Sequence, residues 1–315
     1  MRIVVLAGGV GGSKFVWGLA QEAGDESLAV IVNTGDDVEM HGLKISPDPD
    51  IVTYTLAGLV DIEKGWGING DTFECMKLLE RYGRPAWFNL GDRDLGTHIF
   101  RTHALQQGQR PTEVADLIRR GLGVRARILP MSDDPVMTHV LVGEPVRSLH
   151  FQEYLIERRA ADEIRGIEFQ GSARAHPTPE VLAAIREAEA IFLAPSNPVA
   201  SLGPILAIPG IRTALRAVQV PIVAVSPVVG GQSLKGPTDK FLRWAKVEVS
   251  PLGAARLYRS ALNGLDGMMI DPADAGEAAA IEELGIRVEV GPIVMHGPEE
   301  KRAVARMGLK FLETL

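Results

Sequence analysis

Residues 1–15 read MRIVVLAGGVGGSKF and join a short apolar run to a glycine-rich turn and an amphipathic segment. The β-branched run at 2–6 predicts a buried strand, and the apolar spacing over about 13–22 predicts a helix. Glycines at such a strand-to-helix turn let the backbone approach an anion, and the first N–H groups of the helix point at it. The stretch therefore predicts a phosphate loop after the first strand of an α/β fold.

This loop fits neither of the two standard phosphate-loop patterns. A dinucleotide fingerprint begun at Gly9 requires glycine at position 14, where the chain has Lys14. A Walker loop begun at Gly8 requires Gly-Lys-Ser/Thr at 13–15, where the chain has Ser-Lys-Phe. We predict a diphosphate loop of a third kind; the alternative is a turn that only tightens strand-helix packing. The predicted loop residues are Gly8, Gly9, Gly11, Gly12, Ser13 and Lys14.

Composition limits the possible partners of the chain. A formal charge of −7 over 315 residues argues against general binding to nucleic acid or to an anionic membrane. The single cysteine, Cys75, excludes an internal disulfide and a cysteine metal cluster. No apolar run reaches the length of a membrane span, and glycines and Lys14 interrupt the N-terminal one. We expect a cytoplasmic protein that binds small molecules.

Strand-like runs alternate with helical patterns along much of the chain. The runs cover 28–33, 190–194, 222–226, 268–271 and 287–290, and the helical patterns cover 179–189, 205–218, 253–262, 275–284 and 298–315. Such alternation predicts an α/β fold, a Rossmann-like, doubly wound and mainly parallel sheet. In such sheets ligands bind beyond the carboxyl ends of the strands.

The middle of the chain has a different pattern. It is mostly helical up to residue 120, and short strands are expected within 127–143 and 165–170. We interpret residues 51–170 as an inserted, largely helical smaller lobe. Residues 1–50 and 171–315 then form the Rossmann-like nucleotide-binding core.

Four aspartates follow the second predicted strand, in NTGDD at 33–37 and SPDPD at 46–50. Carboxylates this close to a diphosphate loop suit Mg²⁺, which prefers a few carboxylate oxygens together with water and phosphate. Asp36 and Asp50 are the predicted ligands of one metal ion. For Asp37 and Asp48 we favour the alternative, in which aspartates form turns or cap helices.

The segment NLGDRDLGTHIFR at 89–101 places Asp94, His98 and Arg101 on one face of a predicted helix. These side chains form either part of a site or a structural ion-pair network. Two further loops are candidates. APSNP at 194–198 offers Ser196 and Asn197 as ligand contacts or helix caps, and the glycine-containing loop around Lys235 offers a lid with a second anion contact, or only a surface loop.

Seven stretches together resemble the 2-phospho-L-lactate transferase family of coenzyme F420 biosynthesis. They are GGVGGSK (8–14), NTGDDVEMHGLKISPDPD (33–50), GWGINGDTF (65–73), LGDRDLGTHIFR (90–101), LPMSDDPVMTH (129–139), APSNPVASLGPI (194–205) and VAVSPVVGG (223–231). The resemblance implies a Mg²⁺-dependent transferase. It would move a phosphorylated three-carbon acid from a guanosine diphosphate-linked donor to the ribityl hydroxyl of the deazaflavin Fo, and release GMP.

The resemblance also implies roles for individual residues. The loop from Gly8 to Lys14 would meet the donor diphosphate, and Ser196 and Asn197 would lie near the nucleotide. Asp36 and Asp50 would hold the metal and orient the Fo hydroxyl. The residues expected on the Fo side are Asp50, Asn89, Asp92, Arg93, Asp94 and His98. Archaeal members have a basic residue where this chain has Asn89, so the chain departs from the family pattern at this position.

Some properties stay open at this stage. The donor is either lactyl- or enolpyruvyl-diphosphoguanosine, and bacterial relatives are thought to use the enolpyruvyl form. The family also suggests a homodimer.

A second reading is a regulatory protein that binds nucleotide sugars without transfer chemistry. Relatives of that kind share the glycine loop and fold but lack the segment 91–94 and the GWG motif at 65–67, so the enzyme is favoured. A third reading, a nicotinamide-dependent oxidoreductase, is disfavoured because Lys14 stands where the third glycine belongs.

Overall fold

The structure, a computed structural model, describes residues 1–234 and 236–315. The strands of these ranges are β1 (Ile3–Ala7), β2 (Leu28–Val32), β3 (Val38–Met40), β4 (Leu43–Ile45), β5 (Arg127–Pro130), β6 (Met137–Val142), β7 (Arg147–His150), β8 (Ile164–Gln170), β9 (Ala190–Leu193), β10 (Ile222–Val225), β11 (Val228–Val229), β12 (Gln232–Ser233), β13 (Gly267–Ile270) and β14 (Arg287–Val290). The α-helices are α1 (Gly9–Ala23), α2 (Pro47–Leu56), α3 (Glu74–Arg81), α4 (Asp94–Gln106), α5 (Pro111–Gly121), α6 (Pro179–Glu187), α7 (Leu202–Ala207), α8 (Pro209–Ala217), α9 (Thr238–Trp244), α10 (Pro251–Leu262), α11 (Ala278–Glu282) and α12 (Pro298–Leu312).

Seven of these strands form one parallel sheet in the order β14-β13-β10-β9-β1-β2-β5. The predicted α/β, Rossmann-like and mainly parallel sheet is therefore confirmed. β1 lies between β2 and β9. The chain first adds β2 on one side of β1 and later adds β9 on the opposite side. This reversal of strand order is the point where ligands bind in such sheets. The loops after β1, β2 and β9 therefore meet at one place.

Helices cover both faces of the sheet, and alternate residues of β1 point into two separate cores. Val4 and Leu6 pack in the core under α6, α8 and α10, whereas Ile3 and Val5 pack in the core under α1 and α12. Burial on both faces explains why the central strands are apolar runs without polar alternation. Among the described residues, no helix combines the length and apolar content that crossing a membrane requires.

Helices α1 and α12 cross closely at Gly18. A Cβ atom added to Gly18 would lie 2.2 Å from the carbonyl oxygen of Lys301, so the two backbones would have to separate. We expect Gly18→Ala to lower the free energy of unfolding by about 1–3 kcal/mol, the usual cost of overpacking. Gly96→Ala in α4 is the matched control, because a Cβ there meets nothing within 4 Å. Equal urea midpoints for the two variants would contradict the close crossing.

Three sequence expectations need correction. The single helix expected at 205–218 is two helices, because Pro209 cannot continue α7 and begins α8. The helix expected at 275–284 is shorter, since residues 272–277 form a 3₁₀ turn before α11. Residues 127–130, assigned to the inserted lobe, form the edge strand β5 of the main sheet, paired with β2.

The remaining strands of the middle region form a separate antiparallel sheet in the order β7-β6-β8. Its strands fall mainly within the ranges where short strands were expected. Helices α2 to α5 account for the helical character of residues 51–120. The division into a core and an inserted lobe stays a prediction.

Candidate active site

A cavity of about 800 Å³ opens where the loops after β1, β2 and β9 meet. Most of the residues predicted for the site line it. They are Gly8, Gly9, Gly11, Lys14, Asp36, Asp50, Asn89, Asp94, His98, Ser196 and Asn197. The predicted residues that do not line it are Gly12, Ser13, Asp92 and Arg93.

The glycine loop is tied to its neighbours by backbone hydrogen bonds. The N–H of Gly8 donates to Ser196 Oγ at 3.1 Å, and the Ser196 hydroxyl donates to the Gly8 carbonyl at 2.7 Å. Gly9 adopts φ of 66°, a left-handed conformation that favours glycine, and its N–H donates to Asp48 Oδ1 at 2.7 Å. These bonds use the first two N–H groups, so an anion in the cavity would meet the following ones at the start of α1.

The other glycines of the loop serve close packing. A Cβ on Gly11 would lie 2.5 Å from the Pro195 carbonyl oxygen, and one on Gly12 would lie 2.5 Å from Ser196 Oγ. The buried Ser13 hydroxyl donates to the Val10 carbonyl at 3.0 Å and so faces its own helix. The packing alternative weighed for the loop thus accounts for Gly11 and Gly12, while the cavity still opens beside the first turn of α1.

Lys14 and Asn197 line the cavity but are also anchored to the protein. Lys14 Nζ donates to the Met295 carbonyl at 2.9 Å, which holds the ammonium at the cavity wall. Asn197 Oδ1 accepts the N–H groups of Val199 and Ala200, each at 2.9 Å. The oxygen of Asn197 therefore caps the turn before α7.

The acidic segments bury three of their four carboxylates, and the fourth, Asp37, is partly exposed. Asp36, Asp48 and Asp50 are each at most 5% exposed and line the cavity. Burial raises the pKa of Asp36 well above its ordinary value, and the Asp48 carboxylate raises it further. Burial also raises the pKa of Asp48 to about 6 and that of Asp37 to about 8, although hydrogen bonds from Asn33 and Ser46 respectively act in the opposite direction.

Within the described part of the chain, two buried oxygens of this cluster have no hydrogen bond, Asp36 Oδ1 and Asp37 Oδ1. Of these two residues, Asp36 is the one that lines the cavity. Asp48 is different, since it receives N–H groups from Gly9 at 2.7 Å and from the Asn33 amide at 3.0 Å. An unsatisfied, buried carboxylate oxygen facing a cavity is a ligand that a hard divalent cation accepts. The donor set around Asp36 therefore fits Mg²⁺.

The raised pKa values predict a pH dependence for the metal-free protein. Between the ordinary pKa of 3.8 and about 8, the folded state keeps protons on Asp37 that the unfolded state has lost. Stability therefore falls as pH rises through this window. With a chelator present, we expect a lower thermal midpoint at about pH 8 than at about pH 5. Asp37→Asn should reduce this fall in the thermal midpoint. A thermal midpoint that rises from about pH 5 to about pH 8 would contradict the burial that raises the pKa of Asp37.

Asp50 is held by a network that joins α2 to α4. Because α2 begins at Pro47, Asp50 lies in its first turn and does not cap it. Arg101 donates Nη1–H to Asp50 Oδ2 at 3.0 Å and Nη2–H to Asp50 Oδ1. His98 Nδ1 lies 3.2 Å from Arg101 Nη1, and His98 Nε2 lies 3.3 Å from Asp94 Oδ2. The predicted common face of Asp94, His98 and Arg101 is present in α4.

Opposite pKa shifts mark the two carboxylates of this network. Burial raises the pKa of Asp50 although Arg101 stabilises its anion. For Asp94, burial is outweighed by His98 and by the Tyr54 hydroxyl, which donates to Oδ1 at 2.6 Å, and the pKa is lowered. Atoms of Asp50, Asp94 and His98 lie within 4.8 Å of one another and form a possible metal-binding group. Arg101 already supplies a positive charge to this group through its bonds to Asp50.

Asp92 and Arg93 have structural contacts outside the cavity wall. The Asp92 carboxylate accepts the N–H groups of Glu74 at 2.9 Å and Cys75 at 3.0 Å, and so closes the start of α3. Arg93 Nη1 donates to the Asn69 carbonyl at 3.1 Å. The expectation that both face Fo is not supported by this placement.

An aromatic wall at the cavity was not identified as such from the sequence. Its members are Tyr54, Trp66, Trp87, Phe88 and Phe151. The residues come from separate segments. In the sequence, the GWG motif and the adjacent aromatics at 87–88 were the features that could have indicated the wall.

Asp48 was interpreted from the sequence as a turn former, but it lines the cavity and accepts the Gly9 N–H. The sequence could not show this bond, because it depends on two loops that meet only in the fold. Residues 234 and 236–238 line the cavity, while Lys235 lies outside the described residues.

The fold has solved counterparts. A UPF0052-family protein from Bacillus halodurans matches with a TM-score of 0.63 and 16% identity, over 96% of this chain and 98% of that one. At this identity the likeness shows the fold alone.

Sequence comparisons identify the family. The model of the family "2-phospho-L-lactate transferase CofD" matches residues 3–288. A phosphoenolpyruvate transferase of Streptomyces griseus subsp. griseus is 45% identical, with 99% of each chain covered. One of Mycolicibacterium smegmatis is 38% identical, with 98% of each covered. The regulatory reading is not favoured by these matches. The chain therefore belongs to the CofD family of 2-phospho-L-lactate transferases and is a phospho-group transferase of coenzyme F420 biosynthesis.

Proposed function

We propose that the enzyme transfers enolpyruvyl phosphate from enolpyruvyl-diphosphoguanosine to the ribityl hydroxyl of Fo and releases GMP. The observation that carries this proposal is one cavity with two unlike regions, a glycine loop with an acidic cluster and an aromatic wall. Relatives named phosphoenolpyruvate transferase, which span the full chain, support the enolpyruvyl donor over the lactyl one.

Each region suits one substrate. The N–H groups after Gly9 at the start of α1 would bind the donor diphosphate, with Lys14 adding positive charge. Asn197 lies at the same wall and would contact the nucleotide. The flat deazaflavin would pack against Trp66 and Trp87, as aromatic rings do in apolar pockets. The segments that carry this aromatic wall all lie within residues 51–170 and would thus cover the deazaflavin side.

Asp36 and Asp50 would hold one Mg²⁺ ion. Asp36 offers its unpartnered buried oxygen, and each oxygen of Asp50 keeps lone-pair capacity beyond its bond to Arg101. When bound, Mg²⁺ neutralises diphosphate charge and stabilises the charge that develops during transfer. Besides burial, repulsion from neighbouring carboxylates, Asp48 and Asp37 beside Asp36 and Asp94 beside Asp50, raises the pKa of each residue and favours such a cation.

The transfer is a substitution at phosphorus. The ribityl oxygen forms a bond to the phosphorus that carries the enolpyruvyl group, and the bond from that phosphorus to the bridging oxygen breaks. The bridging oxygen leaves with GMP, and the hydroxyl proton goes to the acidic cluster formed by Asp36 and Asp50. The loop N–H groups stabilise the leaving phosphate, so positioning and charge neutralisation supply most of the catalysis.

The proposal is tested by offering both donors in parallel. Purified protein is mixed with Fo, Mg²⁺ and either enolpyruvyl- or lactyl-diphosphoguanosine, and the products are identified by mass spectrometry. We expect the dehydro product from the enolpyruvyl donor. Product from the lactyl donor alone would overturn the donor assignment, and no product from either would overturn the substrates. A homodimer and a cytoplasmic location stay predictions.

A further inference from the structure

We propose that Arg101 is the positioning residue of Asp50: its buried guanidinium fork sets the orientation in which that carboxylate meets the metal and the Fo hydroxyl. This inference rests on the proposed function. Arg101 is not part of the cavity wall, so it acts through Asp50 and not by touching a substrate.

The geometry of the pair is that of a clamp. Arg101 is 6% exposed and Asp50 is 5% exposed, and both terminal guanidinium nitrogens donate to the two carboxylate oxygens. Parallel N–H···O bonds fix the plane of a carboxylate, which a single contact does not. The residues are 51 positions apart, so the clamp also joins α2 to α4.

The guanidinium is itself held from behind. Arg101 Nη1 lies 3.4 Å from the Lys44 carbonyl and 3.2 Å from His98 Nδ1. His98 is 1% exposed, and its Nε2 lies 3.3 Å from Asp94 Oδ2 as a close ion-pair approach without a hydrogen bond. Asp94 in turn accepts the Tyr54 hydroxyl at 2.6 Å. The Lys44 carbonyl and the buried His98 ring therefore lie behind the guanidinium that orients Asp50.

The Arg101→Lys variant distinguishes the orienting role of the guanidinium from the effect of its positive charge. Lysine keeps the positive charge but replaces the planar fork by one ammonium group on a flexible stem. A side chain that orients a metal ligand typically contributes about 10–100-fold to metal affinity or activity. Arg101→Lys should therefore lower kcat and weaken metal binding while the net charge of the site is unchanged.

The experiment compares the full-length wild type, Arg101→Lys and a control, Arg119→Lys. Arg119 is also buried, at 9% exposure, and donates to the Val124 carbonyl at 2.9 Å outside the cavity wall. Mn²⁺, a paramagnetic substitute for Mg²⁺, is titrated and its free fraction followed by electron paramagnetic resonance; kcat and thermal midpoints are measured on the same samples. We expect Arg101→Lys to raise the Mn²⁺ dissociation constant and lower kcat, each about 10–100-fold, and Arg119→Lys to change only the midpoint.

A double-mutant comparison shows whether Arg101 acts through Asp50. In an Asp50→Asn background, Arg101→Lys should change Mn²⁺ affinity no further, since the ligand it orients is already lost. Unchanged kcat and Mn²⁺ affinity in Arg101→Lys, or full additivity with Asp50→Asn, would overturn the inference. If the wild type forms no product but the Mn²⁺ results hold, the positioning role stands and the proposed reaction fails.

Discussion

Asp50→Asn is expected to lower kcat by about 10²–10⁴-fold while the protein stays folded. The change removes the negative charge with which Asp50 would hold Mg²⁺ and orient the ribityl hydroxyl. Asparagine keeps one oxygen that can accept an N–H of Arg101, so the buried guanidinium is not left without an acceptor. Circular dichroism and a product assay on the same sample measure the two effects.

Cys75→Ser is the control for Asp50→Asn. Cys75 is half-buried at the start of α3 and is not part of the cavity wall. We expect turnover close to that of the wild type for this variant. Near-full activity in Asp50→Asn would show that the metal and hydroxyl assignments are wrong.

Asp36→Asn should abolish most turnover and, in the metal-free protein, raise stability. Burial and the adjacent Asp48 raise the pKa of Asp36, so its anion destabilises the folded state near neutral pH. The neutral amide has nearly the same shape and removes that repulsion. Thermal midpoints are compared with a chelator and with Mg²⁺, and we expect Mg²⁺ to stabilise the wild type more than Asp36→Asn.

Asp92→Asn is the matched control, because its carboxylate caps α3 outside the cavity wall. Its pKa is lowered by hydrogen bonds from the Thr72 hydroxyl and from backbone N–H groups, so its charge is favourable. Asp92→Asn should therefore be less stable than the wild type and keep its turnover. Asp36→Asn should show the opposite result, with higher stability in the metal-free protein and little turnover. A lower midpoint for metal-free Asp36→Asn would contradict the electrostatic account of the cluster.

Local pattern was sufficient to predict the main sheet and its ligand edge. Short apolar runs buried on both faces read clearly as parallel strands, and the glycines after β1 and the aspartates after β2 mark the carboxyl edge. The sheet to which β5 belongs was harder to predict, because the sequence of a four-residue edge strand does not indicate which sheet it joins. Asp36 lies at the cavity because it follows β2 directly, whereas the position of Asp50 also depends on how α2 packs.

The contacts that sequence reasoning could not supply are those between distant segments. The clamp between Arg101 and Asp50 requires α4 to pack beside α2. The capping role of Asp92 depends on a loop that returns to the start of α3, so the same aspartate reads equally well as a ligand. The aromatic wall combines Trp66, Trp87 and Phe151 from three segments that are far apart in the sequence.

The most direct test of the central claim is the stoichiometry of the reaction. GMP release and Fo adduct formation are measured together over one turnover, with Mg²⁺ and enolpyruvyl-diphosphoguanosine, in the presence and absence of Fo. We expect one adduct for each GMP released and no GMP release without Fo, because the ribityl hydroxyl is the proposed nucleophile. GMP released without adduct would show hydrolysis of the donor and would contradict a transferase that joins both substrates in one cavity.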